Sequence, residues 1–286
     1  MKTILVPTDF SKNSENAIDY AISIAKKEKY KVILLHAYHP IISPPSFDLP
    51  VQYYSEAYES IQKKASDKLN ELKDKIVKKG KLACDILFQE GLAADVIIDV
   101  AKKKKVELVI MGSKGASGLT KVILGSITAK VIEKSNRPVI AVPEKATFDG
   151  IGKIAYATQY HSSDMTALKK LAELSKSYKA TIHLVHIADG AYTIATEKEY
   201  MEKFKEKVKK AINIKSIEAT VIEGDNIEKE LERYFKKNAI SLLVISTKHR
   251  NFIEKLFGKS ITKTLIFHSK VPLLVFHHKQ SSVALI

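Results

Sequence analysis

Residues 111–142 read MGSKGASGLTKVILGSITAKVIEKSNRPVIAV. Within them Gly112, two residues, Gly115, nine residues, then Gly125 and Ser126 follow a largely apolar run, VELVIM at 106–111, that reads as a buried parallel strand. Residues 126–135 carry apolar Ile127, Val131 and Ile132 at helical spacing, so the order is strand, glycine loop, helix. A missing Cβ permits positive φ and lets a ligand approach main-chain N–H groups closely. The unpaired first-turn amides and the positive end of the helix dipole then face the loop, an arrangement that suits the phosphates of a nucleotide. Taken alone such a loop is also a plain long turn, so its context decides.

That context is an internal repeat. An offset of 150 lays residues 153–168, KIAYATQYHSSDMTAL, over residues 3–18, TILVPTDFSKNSENAI. TIHLVHI at 181–187 matches VILLHA at 32–37, and Glu223-Gly224 matches Glu90-Gly91. Residues 241–276 overlay 107–142 at an offset of 134; the offsets 150 and 134 differ by 16 residues, absent mostly where the first half carries the proline-bearing segment 39–50. Short apolar strands alternate with amphipathic helices in each half, which predicts an α/β fold of two tandem doubly wound parallel-sheet domains. Their expected bounds are 1–146 and 151–279, with a link at 144–150 and a tail at 280–286.

Ser11 is placed to cap a helix whose Ala17, Ile18, Ala21, Ile22 and Ala25 form one apolar face. Further helices are expected at about 52–79, ended by Gly80, and at 93–103. Asp9, Ala37 and Gly112 all fall just after predicted strands, where one crevice collects them. Asp9 has a second reading as a helix-start residue, but Ser11 is available for that task.

Three separated motifs, ILVPTDFS at 4–11, VILLHA at 32–37 and the G-x2-G-x9-G-S spacing, resemble the universal stress protein family, in the branch whose members bind ATP. The resemblance implies Rossmann-like domains, of the adenine nucleotide alpha-hydrolase-like type, that pair within one chain through their last strands, residues 139–142 meeting 273–276. It implies ATP or AMP as ligand in the first domain, in a site that includes Pro7 and Thr8. The backbone at Ala37 would bond the adenine edge, Asp9 would accept hydrogen bonds from the adenosine portion, and Gly112 would lie against the ribose. Gly115, Gly125, Ser126 and Ile127 would offer amides, and Ser126 a hydroxyl, to the phosphates. Lys114 and Lys121 are candidates for added charge. Mg or Mn, if present, would be held mainly by the phosphates and water.

The second half departs from this pattern. Ser246, His249 and Lys259 stand where the first half has Gly112, Gly115 and Gly125, and Gln159 replaces Asp9. Side chains there are expected to obstruct the loop, so the second domain is expected not to bind ATP in the same way. Gly258-Lys259-Ser260 is no P-loop, because that motif needs glycine where Ile253 stands.

With 286 residues, 45% hydrophobic and 28% charged, the chain reads as globular and not disordered. No apolar run approaches the roughly 20 residues of a bilayer span, and MKTILVPTDF lacks the marks of a signal peptide, so a cytoplasmic location is expected. The single cysteine, Cys84, lies in an apolar run and reads as a buried structural thiol. The net charge is +15, with lysines at 102–105 and at Lys203, Lys205, Lys207, Lys209 and Lys210. Interleaved acids, Glu197, Glu199, Glu202 and Glu206, and the lack of a known module favour a solvated helix face over a nucleic-acid surface. His183 and His186 are expected on opposite faces of one strand, and His277 and His278 near the tail leave room for one weak metal contact.

Three functions remain open: a nucleotide-dependent regulator in stress response, a slow ATPase or phosphotransferase, and a protein-binding scaffold with no nucleotide. The crevice offers no histidine base, no cysteine nucleophile and no carboxylate pair, which argues against fast chemistry. A homodimer of the two-domain unit is left open.

Overall fold

The computed structural model describes residues 1–39, 51–114, 124–161, 164–188, 190, 192–214, 216–224, 226–246 and 270–277, with backbone alone at 51–58 and 227–228. The first lobe runs β1 (Thr3–Pro7), α1 (Lys12–Glu28), β2 (Lys31–Tyr38), α2 (Val51–Gly80), β3 (Cys84–Glu90), α3 (Ala93–Lys103), β4 (Leu108–Gly112), α4 (Ser126–Lys134) and β5 (Val139–Val142). The second runs β6 (Lys153–Ala157), α5 (Asp164–Tyr178), β7 (Thr181–Ile187), α6 (Ile194–Ala211), β8 (Ile217–Ile222), α7 (Ile227–Asn238), β9 (Leu242–Ser246) and β10 (Leu273–Phe276).

The ten strands of the described residues join one sheet in the order β3-β2-β1-β4-β5-β10-β9-β6-β7-β8. Pairing is parallel inside each lobe and antiparallel at the seam, where Ile140 of β5 meets Leu274 of β10. Parallel strands need helices on both faces, and the strands are accordingly apolar on both sides. Ile4, Val6, Leu34 and Ile110 face the layer of α1 and α2. Leu5, Leu35, Val109 and Met111 face α3 and α4. His183 and His186 follow the same alternation: His183 Nδ1 meets the Tyr234 hydroxyl of α7 at 3.0 Å, whereas His186 Nε2 meets Glu197 of α6 at 3.3 Å on the other face.

The repeat reaches the backbone. Phe10 and Tyr160 share a left-handed turn with φ of 62° and 61°, as do Lys29 and Lys179 at 56° and 54°, and Lys105 and Ala239 at 50° and 51°. Such conformations disfavour side chains, so their recurrence at matching offsets marks one turn chemistry used twice. Gly80 is the last residue of α2 itself, and a left-handed turn follows at Lys81. Glu197 also departs from expectation: it is buried under the His186 contact, not part of the solvated face of α6. Its neighbours Glu199, Glu202 and Glu206 do lie on that face, paired with Lys203, Lys205 and Lys209.

Candidate functional site

In the first lobe the chain steps outward from β1 to β2 and β3, then crosses back to β4 and β5. The strand order therefore reverses between β1 and β4, the point at which doubly wound sheets open a crevice beyond their carboxyl ends. A cleft of about 110 Å³, room for several water molecules, opens there on the α3–α4 face. Pro7, Thr8, Asp9, Ala37, Gly112, Gly125, Ser126 and Ile127 all line it. Gly115 and Lys121 lie outside the described residues. Ser14, Leu35, Ala93, Ile97, Met111, Lys114 and Thr128 complete the walls.

Each wall has a local cause. The β1–β2 ladder ends at Pro7 and Leu35, and Thr8 N–H closes it on the Leu35 carbonyl at 2.8 Å. Backbone groups alternate sides along a strand. Tyr38 O accepts from Gly91 N–H on the β3 side, so Ala37, in step with Leu35, turns its N–H and C=O toward the side where β1 has ended. The apolar walls at Leu35, Ile97 and Met111 flank that edge, giving a slot for a flat ring with a polar margin.

The β1–α1 loop is pinned from below. His36 Nδ1 lies 2.8 Å from the Thr8 carbonyl, and the Phe10 ring packs on His36 with centroids 4.3 Å apart. The Thr8 hydroxyl is 3.0 Å from that of Ser14. Ser11 caps α1 by accepting from Ser14 N–H. Exposed Asp9 accepts from Ser11 N–H at 3.1 Å and from the Ser11 hydroxyl at 2.6 Å through one oxygen, Oδ1. Its carboxylate thus orients the cap while standing at the cleft rim.

The glycines act differently from the sequence expectation. Gly112 does not adopt positive φ; its Cβ would instead come within 2.5 Å of Asn13 Oδ1. Gly125 has φ −59°, open to any residue, and its N–H donates to the Ser113 carbonyl at 2.8 Å. The Gly125 amide is therefore engaged within the loop and is not offered to a phosphate. As the N-cap of α4, Gly125 supplies no side chain to the first-turn amides of Ser126, Ile127 and Thr128. That uncapped, positive helix end opens into the cleft beside Lys114. Asn13 and Thr128, which hold the Gly112 turn, escaped the sequence reading: a polar residue in the first turn of a helix carries no signal of a contact 129 residues away, as between Asn13 and Val142, or 16 away, as between Thr128 and Gly112.

The second lobe fills the same region differently. Tyr156, Thr158 and Asp164 stand at the places of Val6, Thr8 and Ser14. The Tyr156 hydroxyl donates to Asp164 Oδ1 at 3.1 Å and the Thr158 hydroxyl to Oδ2 at 2.7 Å, all three side chains being buried. Ser246 ends β9 where Gly112 ends β4; His249 and Lys259 lie outside the described residues. His277 Nε2 is hydrogen-bonded to the Ile132 carbonyl, and among the described residues no group of three His, Cys, Asp or Glu side chains is placed to hold a metal.

The model of the universal stress protein family matches residues 1–143 and again 150–277. The chain belongs to that family. Among its universal stress protein relatives, MJ0577 of Methanocaldococcus jannaschii is 30% identical over 156 residues, spanning 50% of this chain and 96% of the relative. A tandem-length universal stress protein of Synechocystis is 23% identical over 96% of this chain and 100% of its own. The crystal structure of a universal stress protein from Archaeoglobus fulgidus superposes with a TM-score of 0.71 at 19% identity, covering 96% of both chains, and so shares the two-lobe fold. Among the described residues, no helix of this universal stress protein is long and apolar enough to cross a membrane.

Proposed function

We propose that the first lobe binds ATP or AMP, and that occupancy of its cleft makes the chain a nucleotide-dependent regulator or scaffold in stress response. The observation that carries this reading is the bare amino end of α4, which opens on the same cleft as the unladdered backbone edge of Ala37. A helix start without a capping side chain leaves oriented N–H groups and a positive dipole end for a phosphate. The Ala37 edge, with one N–H and one C=O between apolar walls, suits the paired donor and acceptor of adenine. Asp9 lies at the rim between them, where ribose hydroxyls would donate to its carboxylate. Mg or Mn would be held chiefly by the phosphates and water. Such a ligand would suit a protein working in the cytoplasm, where adenine nucleotides are abundant.

The second lobe serves as structural partner. Its buried Tyr156–Asp164–Thr158 cluster puts bulkier, mutually hydrogen-bonded side chains where the first lobe has Val6 and Ser14. Calorimetry with ATP and AMP tests the reading, with one nucleotide bound per chain as the expected result. Denaturing the purified protein and weighing any released small molecule gives a second readout. Flat calorimetry together with no released nucleotide overturns the proposal, and two equivalents per chain overturn the assignment to one lobe.

A further inference from the structure

Asn13, in the first turn of α1, is buried, and both ends of its amide are engaged across the chain. Its Oδ1 accepts from the Lys114 N–H at 2.8 Å, and its Nδ2 donates to the Val142 carbonyl at 3.2 Å. Only one orientation of the amide meets a backbone donor on one side and a backbone acceptor on the other. Ser113 N–H donates to the same Val142 carbonyl at 2.9 Å. The turn of residues 112–114 is gripped from its other side as well: the Thr128 hydroxyl donates to the Gly112 carbonyl at 2.9 Å, and Gly125 N–H donates to the Ser113 carbonyl. A Cβ at Gly112 would come within 2.5 Å of Asn13 Oδ1, so any side chain there would force Asn13 or the turn to shift.

We propose that Asn13 is a positioning residue of the cleft: it holds the turn at 112–114 against the end of β5 and so aims Lys114 at the phosphate end of the bound nucleotide. The inference rests on the nucleotide-binding reading above. Asn13 itself reaches the ligand only through this turn. Lys114 lines the cleft on the β4 side with Ser126 and Ile127 at the amino end of α4, whereas Ala37 lines it on the β2 side, with β1 between them. Loosening the turn therefore acts on the phosphates and leaves the ring site in place. Asn16, one turn further along α1, offers a matched control: its Nδ2 donates to the carbonyls of Pro143 and Ala146 at 2.9 Å each, holding the connector between the lobes rather than the cleft.

Affinities for ATP and for adenosine, measured by calorimetry on the full chain, separate positioning from mere stability. Asn13→Ala is expected to weaken ATP by about tenfold, the scale of one hydrogen-bonded contact, with adenosine unchanged. Lys114→Met is expected to show the same selective loss, and the double variant to be no weaker for ATP than either single one. Asn16→Ala is expected to lower the unfolding midpoint and leave the ratio of the two affinities alone. Equal losses for ATP and adenosine in Asn13→Ala, an unchanged ratio, or additive losses in the double variant overturn the inference while leaving nucleotide binding intact. A wild-type protein that binds neither ligand overturns the functional reading instead, and the positioning role with it. Should Asn13→Ala not fold, hydrogen exchange in the unmodified protein decides: the Lys114 amide is expected to be protected, and exchange at the rate of an open loop overturns the proposal.

Discussion

His36 and His186, 150 residues apart, make the same bond: each Nδ1 lies 2.8 Å from a threonine carbonyl, Thr8 in one lobe and Thr158 in the other. An aromatic ring, Phe10 or Tyr160, packs on each imidazole with centroids 4.3 Å apart. The pair is thus a piece of frame copied with the fold, and only the first copy underlies the cleft. His36→Ala and His186→Ala are each expected to cost about 1–3 kcal/mol of stability, through a lost hydrogen bond and lost packing. Thermal unfolding measures each loss, which in His186→Ala also includes the contact to buried Glu197. ATP affinity should fall in His36→Ala alone, and an equal fall in both variants would contradict the assignment of the site to the first lobe.

Gly112→Ala sets a methyl group against Asn13 Oδ1, with the Asn13 backbone carbon 3.2 Å away, so that simple rotation of the amide does not relieve the clash. Overpacking of this kind costs about 1–3 kcal/mol. A lower unfolding midpoint is expected even without nucleotide, because the conflict belongs to the fold. A variant as stable as the parent would show that the turn yields freely.

Gly125→Asp separates stability from binding. The φ of −59° and ψ of 143° at Gly125 suit any residue, and aspartate is a better N-cap than glycine by a few tenths of a kcal/mol. The new carboxylate would also occupy the α4 amides meant for a phosphate. Unchanged or slightly raised thermal stability, with ATP binding abolished, is the expected pair of results; retained affinity would place the phosphates elsewhere.

Asp19 joins α1 to α2 through Lys75 at 3.0 Å and Lys79 at 2.9 Å. Burial opposes its ionisation, but the hydrogen bonds and charges of the two lysines outweigh that and hold its pKa below the ordinary 3.8. A depressed folded pKa means that the contribution is present above the unfolded value and lost as pH falls through the folded one. Asp19→Asn should therefore be less stable than the parent at neutral pH, by under about 1 kcal/mol for so exposed a group. The difference should begin to shrink below about pH 4 and vanish once the pH falls below the depressed folded pKa. Urea titrations across that range measure it, and a gap that persists in acid would assign the effect to packing.

Burial pushes the Cys84 thiol up to about 11, so at pH 8 almost none of it is thiolate, the nucleophilic form. Iodoacetamide is expected to spare the native protein and label it in denaturant. Rapid labelling of the folded chain would show that β3 opens readily.

Elements with a period of their own were legible from the residues alone. Ala17, Ile18, Ala21 and Ile22 announce α1, and α3 spans the expected 93–103, whereas the meeting of residues 139–142 with 273–276 is expected only from the family resemblance. The repeat was visible because the apolar strand runs recur in one order. What escaped depends on contacts distant in sequence. Gly112 was visible as a glycine, but the reason for it is Asn13, a hundred residues away, and nothing near either position announces the other. The phosphate-facing amide that the resemblance implies for Gly125 is bonded in the structure to the Ser113 carbonyl, a contact that the glycine spacing does not announce. Glu197 resembled its solvated neighbours on α6 because its partner, His186, sits on a strand of the opposite periodicity.

The antiparallel meeting of Ile140 and Leu274 turns the lobes head to tail, so the carboxyl ends of their strands emerge on opposite rims of the common sheet. A partner touching the mouth of the cleft meets the loops of one lobe there and the strand starts of the other. Because covalent linkage holds the two at a fixed effective concentration, dilution cannot part them. Each lobe thereby gains a permanent neighbour for a strand that would otherwise present a bare, sticky margin to the solvent.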